Sequence, residues 1–252
     1  MLENTFASGS SPVHGLNPKI RILVSLFLSI AAALCDNLII ALGYLFVSFC
    51  LAGLAHLTVK QVIKRLKPLF WFLVMIWIFL PLTFRGEIVF EYWIFMATWP
   101  GILLSAKITL KSIAILLIFS ALIATMPIAS LGSGLHRLKV PDKMVFLLLM
   151  TYRYIAVIQS EYTRLLRAAK FRGFKPGTNL HSYKTYAFLA GMLFVRASLR
   201  ARRVYQAMLC RGFKEKFHTL DLYPPTILNF IFFGVMTLIG TGLVLAEWIW
   251  IQ

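Results

Sequence analysis

Residues 102–126 read ILLSAKITLKSIAILLIFSALIATM, an unbroken apolar run whose only charges are Lys107 and Lys111. About 20 such residues cross a bilayer as a helix, so this stretch is long enough to span. Four more apolar runs flank it: Ile20–Leu34, Leu38–Leu57, Leu69–Phe84 and Ile227–Ile249. Apolar residues make up 60% of the chain and charged residues 14%, against about 25% charged in a soluble domain. A water-soluble core could not hide so many runs. The expected fold is an all-α membrane protein with about five transmembrane helices and long cytoplasmic helices.

Charge orients the spans. Residues 132–218 hold 17 of the 26 Lys and Arg but three acids (Asp142, Glu161, Glu215), a local charge of +14. Basic loops of membrane proteins face the cytoplasm, and that places the last span running outward with the C-terminus outside. Counting back, the acidic segment Arg85–Pro100 lies outside with Tyr92, Trp93 and Trp99 as interfacial belt residues, the basic Thr58–Lys67 inside, Asp36 outside and the N-terminus inside. The expected organisation is a four-span bundle over 1–126, a cytoplasmic basic region over 127–222 and a final span over 223–252. Thr58–Lys67 carries four cations and no acid, which reads as a short helix on the membrane surface before span 3. Met144–Ile158 and Tyr186–Val195 are apolar but short; if both crossed, the count would be seven. Lys107 and Lys111, four apart, either snorkel to the outer interface or line a contact with a partner subunit.

The basic region repeats itself. Ala168-Ala-Lys-Phe-Arg-Gly-Phe-Lys175 recurs as Ala207-Met-Leu-Cys-Arg-Gly-Phe-Lys214, with Ala, Arg, Gly, Phe and Lys matching in place. Stretches without Pro or Gly, Met144–Arg172 and Met192–Arg211, lead into each copy. Gly is the residue best suited to the left-handed backbone just past a helix end. Two long helices are therefore expected, each with an Arg in its final turn. An Arg there complements the helix dipole, but two matched copies point beyond capping: a planar, permanently charged guanidinium suits carboxylates on another protein. Arg196, Arg200 and Arg203 form a supporting basic stripe at i, i+4 and i+7, suited to anionic headgroups or an acidic partner.

At these residues the sequence resembles the transmembrane T component of energy-coupling-factor (ECF) transporters, in the CbiQ-type cobalt/nickel branch. The resemblance extends over nearly the whole chain: Leu16-Asn-Pro-Lys19 before span 1, Leu135–Pro141, Tyr152-Arg-Tyr154 and, most specifically, Arg196–Phe213. It implies that Phe171-Arg172-Gly173 and Cys210-Arg211-Gly212 end two coupling helices, each docking on one of two cytoplasmic ATPase subunits. Phe171 and Cys210 stand where the family pattern has Ala. It further implies an inner-membrane, multi-pass subunit that works with a separate substrate-capture (S) subunit importing cobalt, with nickel or a vitamin as alternatives.

Competing classes lack their residues. No GxxxxGK[ST] loop occurs, so ATP is expected on the partner subunits and no cofactor in this chain. No span carries the paired carboxylates or His cluster of an intramembrane enzyme; Asp36 and Glu247 sit near span ends, and His14, His56, His136, His181 and His218 are scattered. No catalytic residue and no metal ligand set is expected. Cys35, Cys50 and Cys210 share no metal-binding spacing, and nucleic-acid motifs are missing. A self-sufficient carrier would show inverted repeats or broken spans, whereas the one repeat here lies in the basic region.

Overall fold

The computed structural model describes residues 15–83, 88–92, 95–213 and 227–251. Among the described residues, eight helices and one hairpin run in the order α1 (Pro18–Leu34), α2 (Leu38–Leu54), α3 (Val59–Thr83), β1 (Ile88–Tyr92), β2 (Phe95–Thr98), α4 (Trp99–Leu122), α5 (Ile128–Arg137), α6 (Asp142–Phe171), α7 (Leu180–Cys210) and α8 (Ile227–Ile251). The described residues divide into two compact units, one within 4–134 and 221–252 and the other within 135–220. The division falls inside α5, so Ile128–Gly134 go with the bundle and not with the basic region, where the sequence boundary at 127 would put them.

In the first unit α4 is the hub, packed against α1, α2 and α3, while α8 packs on α1 and α2. Ser105, Ala114, Ser120 and Ala121 are buried on α4 beside Leu117, Ile118 and Leu122. Small residues matter because lipid tails are as apolar as Leu, so helices associate in a bilayer through close van der Waals contact. Gly240 serves α8 in the same way: a Cβ there would come 2.5 Å from the Phe27 ring, and its carbonyl accepts a 3.2 Å hydrogen bond from the Tyr44 hydroxyl.

Helix starts follow the sequence signals. The Asn17 side chain accepts from the Lys19 N–H, with Pro18 opening α1, and Asn37 caps α2 through the Ile39 N–H. Polar groups tie the ends together. The Asn17 N–H donates to Asn229 at 3.0 Å, the buried Arg21 donates to Thr125, and the Asp36 N–H donates to Glu247. Lys111 reaches the α1–α2 turn, donating to the Ala33 carbonyl at 3.1 Å with Asp36 3.6 Å away. Its charge is answered within this chain.

All five expected spans are helical. α3, α4 and α8 are long and apolar enough to cross a membrane, and α2 is a shorter apolar helix; α1 has 17 residues. α3 and α8 present Phe70, Trp71, Phe79, Phe230, Leu238 and Trp248 outward, as lipid-facing helices do. Two expectations need correction. Thr58–Lys67 does not form a separate surface helix, because α3 runs unbroken from Val59 through Pro68. The carbonyl that loses its partner to Pro68 is that of Lys64, an exposed residue, where water can satisfy it. The 85–100 segment, read as a loop, contains the antiparallel β1–β2 hairpin, with Tyr92 opposite Phe95 and a register shift between Ile88 and Phe90. Of its expected belt residues, Trp99 opens α4 and is exposed, while Trp93 lies outside the described residues.

Candidate functional site

The second unit is built on α6 and α7, of 30 and 31 residues. α7 begins at Leu180 and passes through Gly191, twelve residues before the expected start at Met192. The two helices run antiparallel, as three cross-contacts show. Phe146 near the start of α6 stacks on Phe213 just past α7, with ring centroids 5.4 Å apart. Glu161 meets Arg196 midway. Phe174 just past α6 meets Tyr186 near the start of α7, at 5.5 Å and edge-on. The Gly177 N–H, in the connection, donates to the buried Ser182 hydroxyl at 3.1 Å.

Both Arg-Gly copies close a helix in one geometry. After α6, Gly173 adopts φ +85°, the Phe174 N–H bonds the Ala169 carbonyl at 3.1 Å and the Gly173 N–H bonds Lys170 at 3.0 Å. After α7, Gly212 adopts φ +75°, with Phe213 to Met208 at 3.0 Å and Gly212 to Leu209 at 2.9 Å. This is the Schellman closure, which satisfies carbonyls a helix end leaves orphaned. A Cβ on either glycine would meet nothing within 4 Å. Backbone conformation, not space, requires glycine here.

Arg172 and Arg211 are both exposed. Because the helices are antiparallel, they stand at opposite ends of the hairpin. From Phe146, beside the Arg211 end, to Arg172 the chain climbs α6 at 1.5 Å per residue, so the two ends are about 40 Å apart. Phe171, beside Arg172, is 91% exposed, and Cys210, beside Arg211, is an exposed free thiol. A large apolar ring left in water next to a guanidinium is the composition of an interface anchor.

The basic stripe is not uniform. Arg196 is engaged by Glu161, which also has Arg164 within 3.9 Å. Hydrogen bonding from Arg196 holds the Glu161 carboxyl below the usual carboxylate range. Arg200 borders the same groove between the helices and Arg203 is exposed. That groove has a volume of about 460 Å³ and is lined mainly by apolar groups, among them Met150, Tyr154, Ile158, Ala201 and Val204. Glu161, Phe146 and Tyr186 escaped the sequence reading. The one signal for Glu161 was its isolation as an acid between Arg153 and Arg164. Among the described residues no group of three or more His, Cys, Asp or Glu is placed to hold a metal ion.

A polytopic helical bundle joined to a hairpin with two matched, exposed Arg-Gly ends has the make-up of a transporter's membrane component. The family described as CbiQ, cobalt transport protein, matches residues 9–219, and the chain belongs to it. It is similar to the energy-coupling factor transporter transmembrane protein EcfT of Leuconostoc gelidum subsp. gasicomitatum, 28% identical over 225 residues, covering 83% of this chain and 82% of that one. The EcfT of Bacillus subtilis strain 168 is 26% identical over 227 residues, with 85% of each chain covered. That of Heliobacterium modesticaldum is 28% identical over 222 residues, covering 81% and 80%. The resemblance to ECF T components read from the sequence is borne out.

Proposed function

We propose that this chain is the non-catalytic T subunit of an ECF-type importer, coupling two cytoplasmic ATPase subunits to a separate membrane protein that captures the substrate. Arg172-Gly173 and Arg211-Gly212 are the two docking ends, with Phe171 and Cys210 at their rims. One observation carries this reading: two ends of identical backbone geometry lie at opposite ends of a single antiparallel hairpin. A hairpin so built can hold two partners at once. Motion of either partner acts on a lever about 40 Å long, the rise of α6 between Phe146 and Arg172.

ATP binds and is hydrolysed on the partners. The hairpin passes their closure to the substrate-capture subunit through the apolar faces of α6 and α7, where Leu147, Phe188 and Phe194 are exposed. Substrate is cobalt, in keeping with the family description; nickel and a vitamin are the alternatives. α6 is apolar and long enough to cross a bilayer by composition alone, but Arg153 interrupts its apolar half and Glu161, Arg164, Arg167 and Lys170 crowd its later half. In this reading it stays at the cytoplasmic surface, the spans number five, the N-terminus is inside and the C-terminus outside, in the cell membrane.

The test is charge reversal at both ends. Arg172→Glu with Arg211→Glu is expected to abolish co-purification of the ATPase subunits and uptake of radioactive Co²⁺ by cells, while the chain still inserts in the membrane. Co-purification at the wild-type level in that variant would overturn the docking assignment. Intact docking with nickel uptake in place of cobalt uptake would change the substrate alone.

A further inference from the structure

The repeat that yields the two Arg-Gly ends also repeats a phenylalanine, and docking leaves that residue unexplained. Phe174 and Phe213 follow their glycines immediately and occupy the same position in the two closures. The left-handed glycine turns the chain back at this point, so the next side chain is aimed at the hairpin. In such closures the following apolar residue commonly contacts the last turns of its own helix. Here the ring it meets belongs to the other helix: Phe174 on Tyr186 of α7, and Phe213 on Phe146 of α6. The contrast within one end is sharp, since Phe171 is 91% exposed and Phe174, three residues on, only 8%.

We propose that Phe174 and Phe213 are positioning residues that bolt each Arg-Gly end to the beginning of the opposite helix, so that the two docking ends move as one braced lever. The proposal rests on the docking reading above for what the ends hold, but the brace itself is internal to the hairpin. Each aromatic pair closes one end of the antiparallel pair, and Glu161–Arg196 ties the middle. A push on Arg172 is therefore delivered to the start of α7 through Tyr186. A push on Arg211 reaches the start of α6 through Phe146. Without the rings the Arg172 end keeps the short connection to α7 with its Gly177–Ser182 hydrogen bond, while the Arg211 end loses its aromatic tie to the start of α6, and either end is freer to splay.

The experiment measures splaying directly. The full chain is placed in lipid nanodiscs together with the ATPase subunits, and spin labels are carried by encoded non-natural amino acids at positions 170 and 206. Pulsed dipolar spectroscopy then reports the distance distribution between the labels. Phe174→Ala and Phe213→Ala should each raise the population at longer distance by roughly 2- to 10-fold, the range expected for loss of one aromatic pair. Phe174→Tyr and Phe213→Tyr should restore the wild-type distribution, and ATPase co-purification should persist throughout. Should either Phe→Ala chain fail to fold, Tyr186→Ala and Phe146→Ala remove the same contacts from the other side and should give the same broadening. A wild-type distribution in both pairs of Ala variants overturns the brace. Failure of the docking reading looks different, since it shows as partners retained by the Arg172→Glu, Arg211→Glu chain, and leaves the distance result to judge the brace by itself.

Discussion

The bundle and the hairpin are both helical, yet they hold together by different means. In α1 eight of 17 residues are buried; in α6 the buried residue is Val145 and in α7 it is Ser182. The bundle has a core of Leu28, Leu51, Ile118 and Leu122, closed by Tyr44 and by small residues on α4. The hairpin has two helices of about 30 residues pinned at three points, with apolar side chains left uncovered. A helix pair with so little burial of its own is built to be completed by partners. The bundle has a packed core of its own.

That difference predicts opposite responses to one kind of substitution. Leu117→Ala in the bundle should cost roughly 2 kcal/mol or more, the range for truncating a fully buried Leu, and should lower the thermal unfolding midpoint in detergent. Leu147→Ala, on an exposed position of α6, should change stability by no more than about 0.5 kcal/mol, leave that midpoint nearly unmoved and weaken assembly of the whole transporter instead. Equal losses of stability at both sites would mean that the hairpin has a core of its own.

Smaller effects are expected at the helix ends. Gly173→Ala and Gly212→Ala force a Cβ into the left-handed region at a cost of about 1 kcal/mol each. Nothing crowds either position, so the chain should still fold. The Arg beside each glycine should shift, and ATPase affinity fall about fivefold to tenfold, the factor that 1 kcal/mol or slightly more represents. Titration of purified ATPase subunits onto the immobilised chain measures this. Unchanged affinity would separate the cap from docking.

The least change should follow Glu161→Gln, which leaves a neutral acceptor opposite Arg196. Assembly should persist with a modest rise in hairpin mobility by hydrogen exchange. Loss of all ATPase binding in this variant would show that the mid-hairpin pair, and not the ends, carries the interaction.

How much of this could be read from the sequence depends on whether the cause was local. The spans were legible because a bilayer demands continuous apolar length, and the Arg-Gly ends because a left-handed residue past a helix selects glycine. The start of α7 was not, since Gly191 reads as a break. Within the helix it costs about 1 kcal/mol relative to Ala, too little to interrupt 31 residues. The 126/127 boundary likewise followed the end of the apolar run at Met126, whereas Gly134 belongs to the bundle because it lets α5 approach α1: a Cβ there would come 2.8 Å from Ile22. The antiparallel pairing was invisible for another reason. It rests on Phe146–Phe213, Glu161–Arg196 and Phe174–Tyr186, and no one-dimensional pattern links those partners. The same blindness left Arg196 grouped with Arg200 and Arg203, although Glu161 engages it.

The central claim is that each end of the hairpin holds its own ATPase subunit. It is tested most directly by an encoded photo-crosslinker placed at Phe171, at Cys210, or at both, in the assembled transporter. Each single site is predicted to join the chain to one ATPase subunit, and the doubly substituted chain to two. Crosslinks from both positions to the same copy, or from neither to any ATPase subunit, would contradict the account.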